Sequence, residues 1–597
     1  MSARVVITTA LMALKTAVTV ATMVTVAMVA TVTPAPVHAN PNPNPPRKYG
    51  EYEKRAIAFA LDKLGLELDP EPEGKTIARV RVFNLQIFGP RNGFLQVLNY
   101  LHRTTRKSAI RRELLLRAGQ AWNWTKVREN ERNLRNPLLS ILAVIVPVRS
   151  QTPGQVDLLV VTRDSWSLRT DSAFEIQAGI LSKLVMEPSD FNFLGLRKQL
   201  GAKFIMNLSD YTVGPVFYDR NTMGTRLRSY YLAGLVFNRR TNAREGSLSK
   251  IEFDYPLWSL DREWGALAEA SHHFYVSRLF QETELNTYDA PETPEDDAVP
   301  WEYRMRNIAL DLHLLRALGT RLENRFTVGY ELRVQRPEVT DDFAGDQVVR
   351  DAFIRDVLPR SERTSALLLR YRMFQPRFGQ YRNIKTFDLP EDTQLGPEVI
   401  LETALAAKFL YSENDFIRLG ATARWTQDLG GLGYARLQAS ASTRVEQNDA
   451  RDVALDVESK VVLPPIGKHI RVLLRGRIAR RLNDRQNIVF ALGGETGLRG
   501  YVIGAFVGPA MAIGNLELRS SPTSLGFMKV GATAFWDFGH AAESLSALEV
   551  HHNVGAGLRI LIPQFGQELI RIDWAFALRG PTRGFPGRLS VGYDQVF

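Results

Sequence analysis

The chain has 597 residues, no cysteine, 45% hydrophobic residues and a formal net charge of +11. That length permits several domains or one very large sheet, while a slightly negative mean hydropathy argues against a polytopic helical membrane protein. The positive residues are spread along extended segments without an RNA- or DNA-binding motif, so nucleic acid is not an expected partner.

Arg4 and Lys15 precede or flank an uncharged, Ala-, Val- and Thr-rich run from Thr16 to Thr33, and Val37-His38-Ala39 offers the small residues a signal peptidase reads. Residues 1–39 therefore read as an export signal cleaved after Ala39, with an uncleaved anchor as the alternative because the run is long. The lack of cysteine fits an oxidising compartment. Residues 40–74 hold a stiff Asn/Pro linker up to Pro46 and a short helix, Glu51 to Leu64, spaced by Ile57, Leu61 and Leu64 and stopped at Gly65.

Residues 75–170 form a small α/β pattern. Ile77 to Phe88 reads as extended. Ser108 is placed to cap a helix from Ala109 to Ala118, with Ile110, Leu114 and Leu115 on one face and Gly119 closing it. Thr125 to Arg135 is a second amphipathic helix, stopped at Asn136-Pro137. Strands at Ile141–Val148 and Val156–Thr162 follow, joined by Gln151-Thr-Pro-Gly154. The order is strand, helix, helix, strand, strand.

From about residue 171 to 597 helical periodicity gives way to short alternating runs punctuated by Gly, Pro, Asn and Asp. Ile308, Leu310, Leu312 and Leu314 alternate with Asn307, Ala309, Asp311 and His313. Ile570, Ile572, Trp574, Phe576 and Leu578 stand opposite Arg571, Asp573, Ala575 and Ala577. The chain ends with Leu589, Val591, Tyr593, Gln595 and Phe597 on one side and Arg588, Ser590, Gly592, Asp594 and Val596 on the other. Apolar sides this numerous are met most simply by lipid, and closure leaves no unpaired edge in hydrocarbon. The fold class expected is mainly β: a C-terminal transmembrane antiparallel barrel of about sixteen strands preceded by one small α/β domain. Glu282–Pro300 and Pro337–Arg363 suit extracellular loops.

Between the strands at His469–Arg480 and Met511–Arg519 lies a long segment carrying Gly493-Gly-Glu-Thr-Gly-Leu-Arg-Gly-Tyr501, and five strand candidates follow it. That tip, the phrases Asn515-Leu-Glu-Leu-Arg519 and Phe535-Trp-Asp-Phe-Gly539, and the aromatic C-terminus resemble the BamA/TamA outer-membrane assembly family. The phrases SAIRRELLLRAGQAW, ENERNLRN and VDLLVVTRDSWSL across residues 75–170 resemble its periplasmic POTRA domain. Ser189-Asp-Phe-Asn-Phe-Leu-Gly195 is similar to a turn near the family's first strands and is given no separate role.

The resemblance implies a loop folded back into the barrel, with Arg499, Gly500 and Tyr501 at its tip and Glu517 and Asp537 as lumenal partners. The physics agrees, because an unpaired guanidinium away from bulk water is costly and bidentate carboxylates would fix it to the wall. By alternation Leu516, Leu518, Trp536 and Phe538 face lipid while Glu517 and Asp537 face inward. Tyr593 and Phe597 are expected to form the C-terminal insertion signal.

No catalytic, metal or cofactor site is expected. Adjacent pairs His272-His273 and His551-His552 point to opposite faces of a strand, and no nucleophile elbow or zinc helix occurs. Asp311 and His313 share a face, which fits a polar lumen. The resemblance implies assembly or translocation of proteins at the bacterial outer membrane with the POTRA domain in the periplasm. The partners implied are outer-membrane lipids, unfolded clients taken up by the POTRA domain and barrel seam, and a possible periplasmic or inner-membrane accessory protein. A two-partner-type secretion pore and a porin-like structural barrel are the alternatives.

Overall fold

The structure is a computed structural model that describes residues 49–87, 103–135, 140–177, 180–281, 284–294, 296–319, 321–467, 469–486, 488–494, 496–502, 504–563, 569–579, 587–593 and 595; of these, the side chains of 169, 171–177, 180, 182 and 593 are not described. The export signal expected at 1–39, the linker up to Pro46 and Phe597 lie outside the described residues.

The N-terminal unit is a three-stranded sheet between two helical layers. Strands β1 (Thr76–Leu85), β2 (Ser140–Arg149) and β3 (Gln155–Asp164) lie in the order β1-β3-β2, with β1 parallel and β2 antiparallel to β3. Both faces of β2 and β3 are buried, so they read as continuous apolar runs rather than alternating ones. One face packs on α2 (Lys107–Arg112) and α3 (Trp124–Leu134), through Ile110, Val127 and Leu134. The other face is covered by α1 (Glu51–Leu64), through Ala56, Ile57 and Ala60. Gly65, in the left-handed region at φ 60°, ends α1, whose sequence had placed it in a linker; it is instead part of this unit.

Helix α2 is shorter than its apolar spacing predicts. The side chain of Asn130 on α3 accepts from Leu115 N–H at 2.8 Å and donates to the Glu113 carbonyl at 3.1 Å, capturing groups that a longer α2 would use. Ser108 accordingly sits inside the first turn instead of capping it.

The remainder closes into one antiparallel barrel. Among the described residues twenty strands form its wall, from Leu168–Gln177 through to Arg588–Tyr593, which joins the first. Two short strands, Arg377–Tyr381 and Thr523–Leu525, pair only with the ends of longer neighbours. The expected figure of about sixteen is therefore too low. Hairpins with connections as short as Gln447-Asn448 and Asn207–Ser209 leave little punctuation in the sequence, and the turn expected near the first strands falls at residues 194–197. With an even strand number both ends of the wall lie at the end bearing the N-terminal unit, called the near end.

The outer surface is apolar. Ile308, Leu312, Leu314, Leu369, Leu518 and Trp536 stand exposed on it, while Asp311, Glu517 and Asp537 on the opposite parity are buried. Tyr231, Phe253, Tyr255, Trp264, Phe326 and Trp425 stand outward toward the near end, the position of an aromatic girdle at a membrane interface. Among the described residues no helix is long and apolar enough to cross a membrane.

The N-terminal unit is docked on the near end. In the turn after Ile180–Phe193, Arg197 is 1% exposed and donates to Glu113 Oε2 at 2.7 Å and Ser140 Oγ at 2.6 Å. Arg106 N–H donates to the Gly195 carbonyl at 2.9 Å, and a Cβ at Gly195 would come within 2.8 Å of the Thr104 carbonyl oxygen. Leu260 N–H donates to Glu129 Oε1 at 2.6 Å, and Asn133 to the Trp258 carbonyl at 2.8 Å.

Candidate functional site: an arginine seated in the barrel wall

The connection between Ile470–Leu482 and Ala510–Ser520 enters the barrel from the far end. Its base is a short hairpin, Phe490–Leu492 with Phe506–Gly508. Beyond it the backbone tightens: Gly493 N–H donates to Thr496 Oγ1 at 2.9 Å, and Gly494 N–H to the Tyr501 carbonyl at 2.9 Å. Gly497 has φ +113°, a conformation that L side chains rarely adopt. Leu498 and Tyr501 anchor the tip by packing with Ala479, Met511, Ile513 and Ala541. The Tyr501 hydroxyl reaches the Arg579 carbonyl at 2.6 Å and the His552 carbonyl at 3.1 Å.

Arg499 is the result of this folding. Its Nη1 lies 2.6 Å from Glu517 Oε1, its Nη2 2.7 Å from Asp537 Oδ1 and its Nε 2.9 Å from Asp537 Oδ2. Asp573 adds a third carboxylate, with Oδ2 at 3.3 Å from Nη1. The guanidinium carbon sits 3.5 Å from the centre of the Phe535 ring. Arg499 is 2% exposed, and Glu517, Asp537 and Asp573 are fully buried.

Each acid has further donors, which is the condition for keeping ionised groups out of water. Asn515 Nδ2 and Asn553 Nδ2 donate to the two oxygens of Asp537 at 2.8 and 2.9 Å. Arg519 Nε donates to Glu517 Oε2 at 2.7 Å. Arg559 and Arg571 donate to Asp573 at 2.6 and 3.0 Å. The three acids thus meet four guanidinium groups.

Gly500 owes its identity to close approach rather than to a left-handed backbone. A Cβ there would lie 2.6 Å from Asn553 Cβ and 2.9 Å from the Ala577 nitrogen. The tip is wedged between two wall strands at a distance that no side chain allows.

The structure brings Arg499, Gly500, Tyr501, Glu517 and Asp537 together. It places Tyr593 at the end of the last strand, where its backbone pairs with Ile570, away from the arginine. Gln595 breaks the alternation read from the sequence: its Oε1 accepts from Arg559 Nε at 2.9 Å, on the inner side. Reasoning from the phrases missed Asn515, Asn553, Asp573, Arg519, Arg559 and Arg571. All of them share the inward parity of Glu517 and Asp537, and that parity is the signal that finds them.

A second polar group lies on the wall at Asp311, His313 and Glu331, whose ligand atoms fall within 4.8 Å of one another. Arg333 holds Asp311 at 2.7 Å and Arg418 holds Glu331 at 2.6 Å. A divalent ion would have to displace those cations, so the donor set fits a lumenal ion-pair network better than a metal centre.

Fold and site together define a class: a transmembrane antiparallel β-barrel with an α/β unit at its near end and an arginine loop seated inside its wall. No family model and no curated protein matches the sequence. Among solved structures the chain is similar to BamA from Haemophilus ducreyi lacking POTRA domains 1–3, at 12% identity over 92% of this chain and 94% of that one, with a TM-score of 0.33. It is similar to CdiB from Acinetobacter baumannii, at 10% identity over 87% and 73%, and to CdiB from Escherichia coli, at 12% over 94% and 92%, both with a TM-score of 0.39. At these identities and scores the likeness adds no weight to the geometry.

Proposed function

We propose that this chain is an outer-membrane factor of BamA/TamA type that assists the insertion or translocation of other proteins, with the near end and the N-terminal unit in the periplasm. The observation that carries the reading is Arg499, buried and shared among Glu517, Asp537 and Asp573 inside a closed wall. A loop of this kind fixes one side of the barrel, where the last strands lie. The seam, where Arg588–Tyr593 joins the first strand Leu168–Gln177, then opens against a rigid support. Opening it would offer a client an unpaired edge as a template. The N-terminal unit would receive unfolded segments, and a periplasmic or inner-membrane accessory protein is a further partner. The reading needs no catalysis, cofactor or metal, since client folding supplies the free energy.

The closing experiment uses the absence of cysteine. Single cysteines placed along Arg588–Tyr593 should cross-link to nascent barrel proteins in living cells, and Arg499→Ala should reduce that trapping while leaving a barrel in the membrane. Trapping unchanged by Arg499→Ala would remove the loop from the reading. A large steady current through purified protein in planar bilayers would instead favour the secretion pore.

A further inference from the structure

The connection between Glu362–Phe374 and Glu391–Ala406 also turns into the barrel, from the near end. After the short strand Arg377–Tyr381, the chain from Arg382 to Pro390 is tied to itself by one carboxylate. Glu391 Oε1 accepts from the N–H groups of Ile384, Lys385 and Thr386 at 3.0, 2.9 and 3.1 Å. Asn383 and Asp388 both sit in the left-handed region, at φ 59° and 58°.

This loop crosses the mouth to strands far along the wall. Tyr381 and Ile384 pack on Tyr434, Val462 and Leu473, and Phe387 packs on Leu561 and Leu569. Asp388 pairs with Lys529. The Ile384 carbonyl accepts from Arg519 Nη1 at 2.7 Å. Arg519 is the residue that holds Glu517 Oε2, while Arg499 holds Glu517 Oε1. One carboxylate therefore ties the far-end loop to the near-end loop.

The N-terminal unit grips the same near-end loop. Arg382 Nη2 lies 3.1 Å from Glu53 Oε2 on α1, the Arg132 guanidinium of α3 lies 4.1 Å from the Phe378 ring centre, and Arg135 Nη2 lies 2.7 Å from Asp392 Oδ2. Contacts run without a break from α1 and α3 through the loop to Arg519, Glu517 and the seated arginine.

We propose that residues 377–391 are a periplasmic plug, held shut by the N-terminal unit and coupled through Arg519 and Glu517 to the Arg499 loop. The inference rests on the reading of an assembly or translocation barrel and adds its regulation: displacement of α1 or α3 by an engaged polypeptide withdraws the plug and loosens the arginine seat from below.

Thr386 supplies the probe, because it is 6% exposed and its hydroxyl has no hydrogen-bond partner among the described residues, so Thr386→Cys in this cysteine-free chain replaces no contact described there. Maleimide labelling of Thr386→Cys in the full-length protein should be slow. Adding Arg382→Glu, which sets two carboxylates against each other, should speed it about tenfold, the change that ~1.4 kcal/mol of easier local opening gives. Glu53→Arg together with Arg382→Glu should restore protection, and Phe378→Ala should speed labelling independently of charge. Heat resistance on unheated gels reports that each variant has kept its barrel. Equal labelling in all four proteins overturns the plug, as does fast labelling in the parent; neither outcome touches the seam cross-linking that tests the broader reading.

Discussion

Two stretches of the same wall use the same ions to opposite effect. Between Glu302 and Leu482 three inward pairs are partly open to the lumen: Arg333–Asp311, Arg370–Glu402 and Arg477–Asp456 have distances of 2.6–2.7 Å, yet their arginine side chains are 42%, 37% and 34% exposed. From Ala510 to Ala577 the corresponding pairs are sealed beneath the Arg499 loop, with side-chain exposures of 0–6% for Arg499, Arg519, Glu517 and Asp537. Distance alone does not distinguish the two stretches. Water does, because an exposed pair competes with solvent while a sealed one becomes costly if any member is removed.

The contrast is broken most sharply at Asp537. Asp537→Ala strands Arg499, Asn515 and Asn553 together, and removing one member of a sealed pair costs about 3–5 kcal/mol. The heat-resistant compact band on unheated gels should be lost at a clearly lower temperature than in the parent. Gly500→Val ranks next: with Asn553 Cβ 2.6 Å from the added atom, the tip must back out or the wall must part, at about 1–3 kcal/mol of overpacking. Protease cleavage within residues 488–506 should then appear in intact protein.

A third test lies outside the membrane, at the docking contact. Burial alone would raise the Glu113 carboxyl, but the guanidinium groups of Arg197, Arg220 and Arg226 outweigh it, so Glu113 lies below the usual carboxylate range. A lowered native pKa stabilises docking above the unfolded value, and that contribution is lost as pH falls through the native one. Limited proteolysis at the junction near Asp164 should therefore become faster on acidification, and Arg197→Ala should flatten that pH dependence. The smallest effect belongs to Arg477→Ala on the open stretch, where about 0–1 kcal/mol is at stake and the melting behaviour should stay within error of the parent.

What the sequence made legible follows from how locally each feature is encoded. Alternation of Ile308, Leu310, Leu312 and Leu314 against Asp311 and His313 is a property of neighbours, and it reads directly as a strand with a wet side. The same parity put Glu517 and Asp537 inside. The α2 end was illegible because Asn130, fifteen residues beyond Leu115, takes its N–H. Strand number was illegible because two-residue turns such as Gln447-Asn448 leave little punctuation. The near-end loop was illegible for a third reason: Arg382, Ile384 and Phe387 carry no motif, and only closure of the wall brings Arg519, Leu561 and Leu569 beside them.

The carboxylates around Arg499 all lie later in the chain than the arginine itself: Glu517, Asp537 and Asp573. During synthesis the cation therefore arrives before any of its anions. A product cut short ahead of Asp537 keeps a bare positive charge that has no seat, and one cut ahead of Asp573 keeps an incomplete one. The seat of Arg499 is therefore complete only when the chain extends at least through Asp573.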